Sequence, residues 1–88
     1  MSAANEPSEA IGTVTHWFGH LSVAAVNLTG PLAVGDRVHV LGHVTDLVQT
    51  IHTMEIDHRR VERAVPGDDV AVGFDDHVRE HDRLYREG

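Results

Sequence analysis

The 88 residues include no cysteine and no lysine. Without cysteine there is no disulfide framework to stiffen a small chain, and no thiolate to bind a metal or attack a substrate. Without lysine the P-loop pattern is excluded, because its lysine must reach the β- and γ-phosphates of a nucleotide. Aromatic residues are scarce at 5%, so a core has to come from Val, Ile, Leu and Met. Serine occurs only as Ser2, Ser8 and Ser22, which offers no Ser-His-Asp pattern. No apolar run approaches the ~20 residues that cross a bilayer; the best, Leu21 to Leu28, is interrupted by Ser22 and Asn27. A cytoplasmic chain with no membrane partner is therefore expected. Residues 1–10 carry Glu6, Pro7 and Glu9 where a secretory signal needs a basic start and an apolar run. They read as a disordered tail ahead of one domain at 11–88, the amount of chain that a single small core can organise.

Charge narrows the partners further. Fourteen acidic residues against seven basic ones leave a formal net charge of -7, which repels a phosphate backbone and argues against non-specific nucleic-acid binding. Carboxylates at Asp68-Asp69 and Asp75-Asp76 fall where turns ordinarily carry acidic residues, so they single out no acid/base pair. Neither a catalytic residue nor a cofactor is called for.

What is present is alternation. Arg37-Val38-His39-Val40 and Asp69-Val70-Ala71-Val72 place every second residue on an apolar face, the period of a β-strand. Turn signals punctuate the chain at short spacing: Phe18-Gly19, Thr29-Gly30-Pro31, Val34-Gly35-Asp36, Leu41-Gly42, Asp57-His58-Arg59, Pro66-Gly67-Asp68 and Asp75-Asp76. Strands are predicted at 11–17, 21–28, 37–41, 46–56, 61–63, 69–74 and 84–86, with one helical turn at 78–81. Short strands with Gly turns predict an all-β fold, a small antiparallel barrel of six or seven strands, because closure removes exposed edges. Gly35-Asp36-Arg37-Val38-His39-Val40 and Gly67-Asp68-Asp69-Val70-Ala71-Val72 repeat the pattern G-D-x-V-x-V, and His81-Asp82-Arg83-Leu84-Tyr85 is a degenerate third copy. In each full copy glycine supplies positive φ and aspartate an acceptor for turn amides.

The run Leu32 to Val40, the segment Ile51-His52-Thr53-Met54-Glu55 and the run Ala64 to Val72 together resemble the second, β-barrel domain of elongation factor Tu and its relatives. Val14-Thr15-His16-Trp17-Phe18 followed by Val23-Ala24-Ala25-Val26 is similar to small translation elongation factor-like proteins, and to a barrel appended to some collagenase-like peptidases. The resemblance spans about residues 11–86. It implies a translation-factor domain 2-like barrel without its GTPase domain, a non-catalytic module docking on a protein or a translation-related ribonucleoprotein.

Two surfaces are candidates for such a partner. Arg59, Arg60 and Arg63 form the one tight basic cluster, with Glu55, Asp57 and Glu62 close enough in sequence to neutralise it. Trp17 and Phe18 offer an aromatic rim beside a turn. The alternative rests on eight histidines, with pairs four apart at His16/His20, His39/His43 and His77/His81. On a strand that spacing separates the rings by ~13 Å, too far to share one ion. A small metal- or ligand-binding barrel therefore needs His16/His20 to face each other across a hairpin, or His77/His81 to share a helical turn.

Overall fold

The alternation becomes strands almost where it predicts them. The structure, a computed structural model, describes residues 9–87; most of the expected tail at 1–10 lies outside the described residues. Ten strands follow in order: β1 Ala10–Phe18, β2 Val23–Leu28, β3 Leu32–Ala33, β4 Arg37–Leu41, β5 Asp46–Thr50, β6 Met54–Ile56, β7 Arg59–Val61, β8 Arg63–Ala64, β9 Asp69–Gly73 and β10 Arg83–Arg86. Eight of them form one antiparallel sheet in the order β5-β4-β10-β1-β2-β9-β6-β7, and β3 pairs with β8 in a short ribbon.

Connectivity forces this sheet to curl. β5 lies at one edge and β6 next to the other, yet only Ile51, His52 and Thr53 join them, and so short a link reaches at most about 14 Å. The edges must come together, giving a half-barrel that the chain itself closes. Within the link, Ile51 N donates to Asp36 O at 2.8 Å, Gly35 N donates to Ile51 O at 2.8 Å, and Gly73 N donates to Thr53 O at 3.1 Å. These bonds pull residues 51–53 out of the ladder. They split the long strand expected at 46–56 and help raise the count above six or seven. Inside lie Val14, Val26, Leu28, Val38, Val40, Ile51, Met54, Val70, Val72, Val78 and Leu84, all essentially inaccessible to solvent.

The two Gly-Asp turns and the His81-Asp82 copy share one geometry. Asp36 Oδ2 accepts from Ala33 N at 2.9 Å, Asp68 Oδ2 from Val65 N at 2.9 Å and Asp82 Oδ2 from Arg79 N at 2.8 Å. In return each aspartate N–H donates at 3.0 Å to the carbonyl of the same partner. The residue before each aspartate has positive φ: Gly35 at 99°, Gly67 at 93° and His81 at 77°. The third copy is thus a full member, and the helical turn expected at 78–81 is this β-turn instead. The aspartate side chain and the left-handed residue satisfy the amides that a helix would have used.

His81 bears the steric cost of the left-handed region, about 1–2 kcal/mol for an L-residue with a Cβ. His81→Gly removes that cost but loosens the unfolded chain by about 0.4–1 kcal/mol. The variant is expected to melt about 2–6 °C higher. A lower melting temperature in a calorimetric scan would show that the His81 ring contributes more than its backbone strain removes.

Candidate functional site

Strand pairing decides which residues reach the outer wall. β2 and β9 align Ala24 with Val72 and Val26 with Val70 on the buried side, leaving Val23 opposite Gly73 and Ala25 opposite Ala71 on the outer side. Outer positions of a solvated sheet are normally charged or polar; here these two neighbouring strands present Val23, Ala25, Ala71 and Gly73. On β1 a register shift between Val14 and His16 inserts one extra residue and inverts the alternation beyond it. Phe18, paired with Val23, consequently points outward and is 39% exposed, beside Leu21 at 62%.

On the far side β6 brings Glu55 opposite Ala71. The β6–β7 hairpin turns through Asp57 and His58 with φ of 52° and 66°, the backbone of a type I′ turn. Between these walls lies a hollow of about 450 Å³ lined by Phe18, Leu21, Val23, Thr53, Glu55, His58, Ala71 and Gly73. An adjoining hollow of about 300 Å³ shares Phe18, Glu55, His58 and Ala71 and extends to Ala25, Asp57 and Asp69. Together they form one open trough across β2, β9 and β6, apolar along its floor and acidic at one end. A Cβ at Gly73 would overlap Thr53 Oγ1, so any larger residue there would have to turn the threonine side chain aside.

The residues proposed from sequence fall in different places. Phe18 lines the trough, whereas Trp17 faces the opposite side, packs against the core and stacks on His77 with ring centroids 5.3 Å apart and planes inclined by 23°. The two aromatics therefore form no joint rim. Arg59 and Arg60 are consecutive on β7, paired with Ile56 and Glu55 respectively, so they point to opposite faces. Arg63 sits on β8 opposite Ala33. All three are exposed. Among the described residues the ion pair is Arg86–Asp36 at 3.0 Å, with histidine–carboxylate contacts at His39–Asp46, 2.6 Å, and His16–Glu80, 3.5 Å; none neutralises this arginine cluster.

The histidine-based metal reading gains no support. Among the described residues no group of three or more His, Cys, Asp or Glu is arranged to hold a metal ion. One member of each expected pair is engaged locally: His39 with Asp46, His77 with Trp17, and His16 with Glu80 and the Phe18 ring at 4.4 Å.

Leu21, Val23, Ala25, Ala71 and Gly73 were not among the sequence candidates, although a signal was present. Val23-Ala24-Ala25-Val26 and Val70-Ala71-Val72-Gly73 are apolar on both faces, which marks strands whose outer side is not simply solvated.

Fold and site together define a small curled all-β barrel whose distinctive surface is this outer trough. No family model matches the sequence. The chain is 37% identical over 76 residues to an uncharacterized protease of Methanocaldococcus jannaschii, a match covering 85% of this chain and 19% of the protease. It is 28% identical over 87 residues to a collagenase of Porphyromonas gingivalis, covering 97% of this chain and 21% of the collagenase. The chain thus spans about a fifth of the length of the curated relatives it matches. Its fold is that of the C-terminal domain of a Geobacillus thermoleovorans protein assigned as a U32 peptidase, with a TM-score of 0.83 at 16% identity, covering 100% of this chain and 99% of that domain.

These likenesses correct the elongation-factor reading. The relatives are named protease and collagenase, and the matching solved domain comes from a protein assigned as a peptidase, so neither a translation-factor module nor a translation-related ribonucleoprotein partner is supported. The physical reason lies in the motifs that carried the resemblance. Gly35-Asp36 and Gly67-Asp68 build turns, Ile51 closes the barrel and Met54 fills its core. They specify an architecture that barrels of unrelated function share. Among the described residues no helix is long and apolar enough to cross a membrane.

Proposed function

We propose that this chain serves peptide-bond hydrolysis as the accessory barrel of a U32-type, collagenase-like peptidase, its counterpart being the C-terminal domain of such enzymes. The observation that carries this reading is the extent of the match: 85% of this chain against 19% of the protease. About four-fifths of each relative lies outside the match, and it is there that the hydrolytic groups are expected. The barrel's part is to hold the catalytic portion or its polypeptide substrate in place, a contribution that acts through orientation and local concentration.

The test adds the purified chain to the catalytic portion of a relative prepared without its barrel, with an unfolded polypeptide as substrate. A fall in KM of about threefold or more, with cleavage absent when the chain is incubated alone, is expected. Cleavage by the chain alone, or no change in either kinetic constant, would overturn the proposal.

A further inference from the structure

The outer trough has the chemistry of a peptide site. Its floor is Ala25, Ala71 and Gly73, residues short enough to leave room above the sheet, and Phe18 stands as an apolar wall at one side. Glu55, Asp57 and Asp69 mark the other end. Asp69 Oδ1 accepts from Asn27 Nδ2 at 3.3 Å, which leaves its second oxygen available to a ligand. The cationic or titratable neighbours are His58, which lines both hollows, and Arg60, across from Glu55 in the strand register.

We propose that this trough binds an extended peptide segment that places an apolar side chain against Phe18 and the small-residue floor and a Lys or Arg side chain on the Glu55–Asp57–Asp69 end. An open trough suits a polymer better than a compact ligand, which is normally enclosed over most of its surface. The acidic end repels nucleic acid. It also disfavours a second copy of this chain, because a two-fold dimer through this face would set the same carboxylates against one another. The trough lies on the face of the sheet rather than along the edge strands β5 and β7, so recognition runs through side chains instead of an added strand. The inference concerns the barrel's own surface and does not depend on the peptidase reading.

The test uses the full chain, ¹⁵N-labelled, titrated with ten-residue peptides alternating Leu and Lys, Leu and Glu, or Ser and Lys. The Leu/Lys peptide is expected to shift the amides of residues 23–25, 58 and 71–73 and to bind at least about tenfold more tightly than either control. Ala71→Arg, which fills and charges the floor, is expected to weaken binding about tenfold or more. Glu55→Gln with Asp69→Asn, at the outer end, is expected to weaken it about threefold and to flatten its salt dependence, which keeps the proposal testable even if Ala71→Arg does not fold. Equal affinity for the Leu/Glu peptide, shifts centred elsewhere, or binding indifferent to the paired substitution would overturn it. So would a concentration-dependent dimer abolished by Ala71→Arg, which would assign the trough to a second copy. If the Leu/Lys peptide binds as expected while the chain leaves peptidase kinetics unchanged, the peptide site stands and the peptidase reading falls.

Discussion

Gly42→Ala is expected to lower stability by about 2–4 kcal/mol, although the position is exposed and its backbone is not in the left-handed region. Gly42 opens the turn between β4 and β5, where its N–H donates to Thr45 O at 2.9 Å. A Cβ there would overlap Asp82 Oδ1 and approach Asp82 Cγ to 2.6 Å. Asp82 is buried and cannot step aside. Its Oδ2 holds the Arg79 amide, its own N–H bonds Arg79 O at 3.0 Å, and its carbonyl accepts from Val14 N at 2.8 Å. Moving the carboxylate therefore opens the His81-Asp82 turn and loosens the junction of that turn with β1. Urea denaturation measures the loss directly. In an Asp82→Gly background the same Gly42→Ala change should cost less than about 1 kcal/mol, because the clashing group is gone. A single variant within about 0.5 kcal/mol of the parent would show that the close approach is relieved cheaply.

Gln49→Leu is the second large effect, and its expected cost of about 1–3 kcal/mol comes from polar groups left without their partner at a part-buried seam. Gln49 lies on β5 at one edge of the sheet, with its side chain buried. Its Nε2 donates to Gly73 O at 3.3 Å and to Thr50 O at 3.1 Å, and its Oε1 accepts from Asp75 N at 2.8 Å. One amide thus spans from β5 to the end of β9 and supplements the barrel's closure. Leucine keeps the volume but leaves the Asp75 N–H and the Gly73 carbonyl without this partner. Hydrogen exchange separates the local effect from the global one: the Asp75 amide should exchange faster than core amides such as Val40 and Val72. Equal acceleration throughout would mean that the strut stabilises the fold without specifically protecting this seam.

Much of the architecture was legible in the chain. The alternation at Arg37–Val40 and Asp69–Val72 placed β4 and β9, and the residues it puts on the apolar face, Val38, Val40, Val70 and Val72, are fully buried. Glycine before aspartate announced positive φ at positions 35 and 67. His81 was harder to read, because the tertiary setting holds a β-carbon-bearing residue in a conformation that sequence associates with glycine; His81 N donates to Val14 O at 2.8 Å, and Asp82 is locked as described above. Gln49 gave no warning either: a single glutamine in a strand is ordinarily solvated, and only the approach of β5 to the end of β9 gives it the Gly73 carbonyl and the Asp75 amide.

The candidate site was less legible than the fold, for a reason visible at Trp17 and Phe18. Adjacent in sequence, they were read as one rim, but the register shift between Val14 and His16 decides which of them faces outward, and the shift depends on how β1 pairs with β2. The arginine cluster likewise looked contiguous until the strand register turned Arg59 and Arg60 to opposite faces and set Arg63 on a separate ribbon.

By itself the sequence determined an acidic chain without thiol or P-loop chemistry, its β period and the Gly-Asp turns, because these follow from residue type and from interactions within a few positions. Only the tertiary structure decided the closure through Ile51–Thr53, the use of His81 in place of glycine and the gathering of Phe18, Ala71 and Glu55 along one trough. Those features depend on strand pairing between residues far apart in the chain, where a one-residue difference in register carries a side chain from the core to the surface.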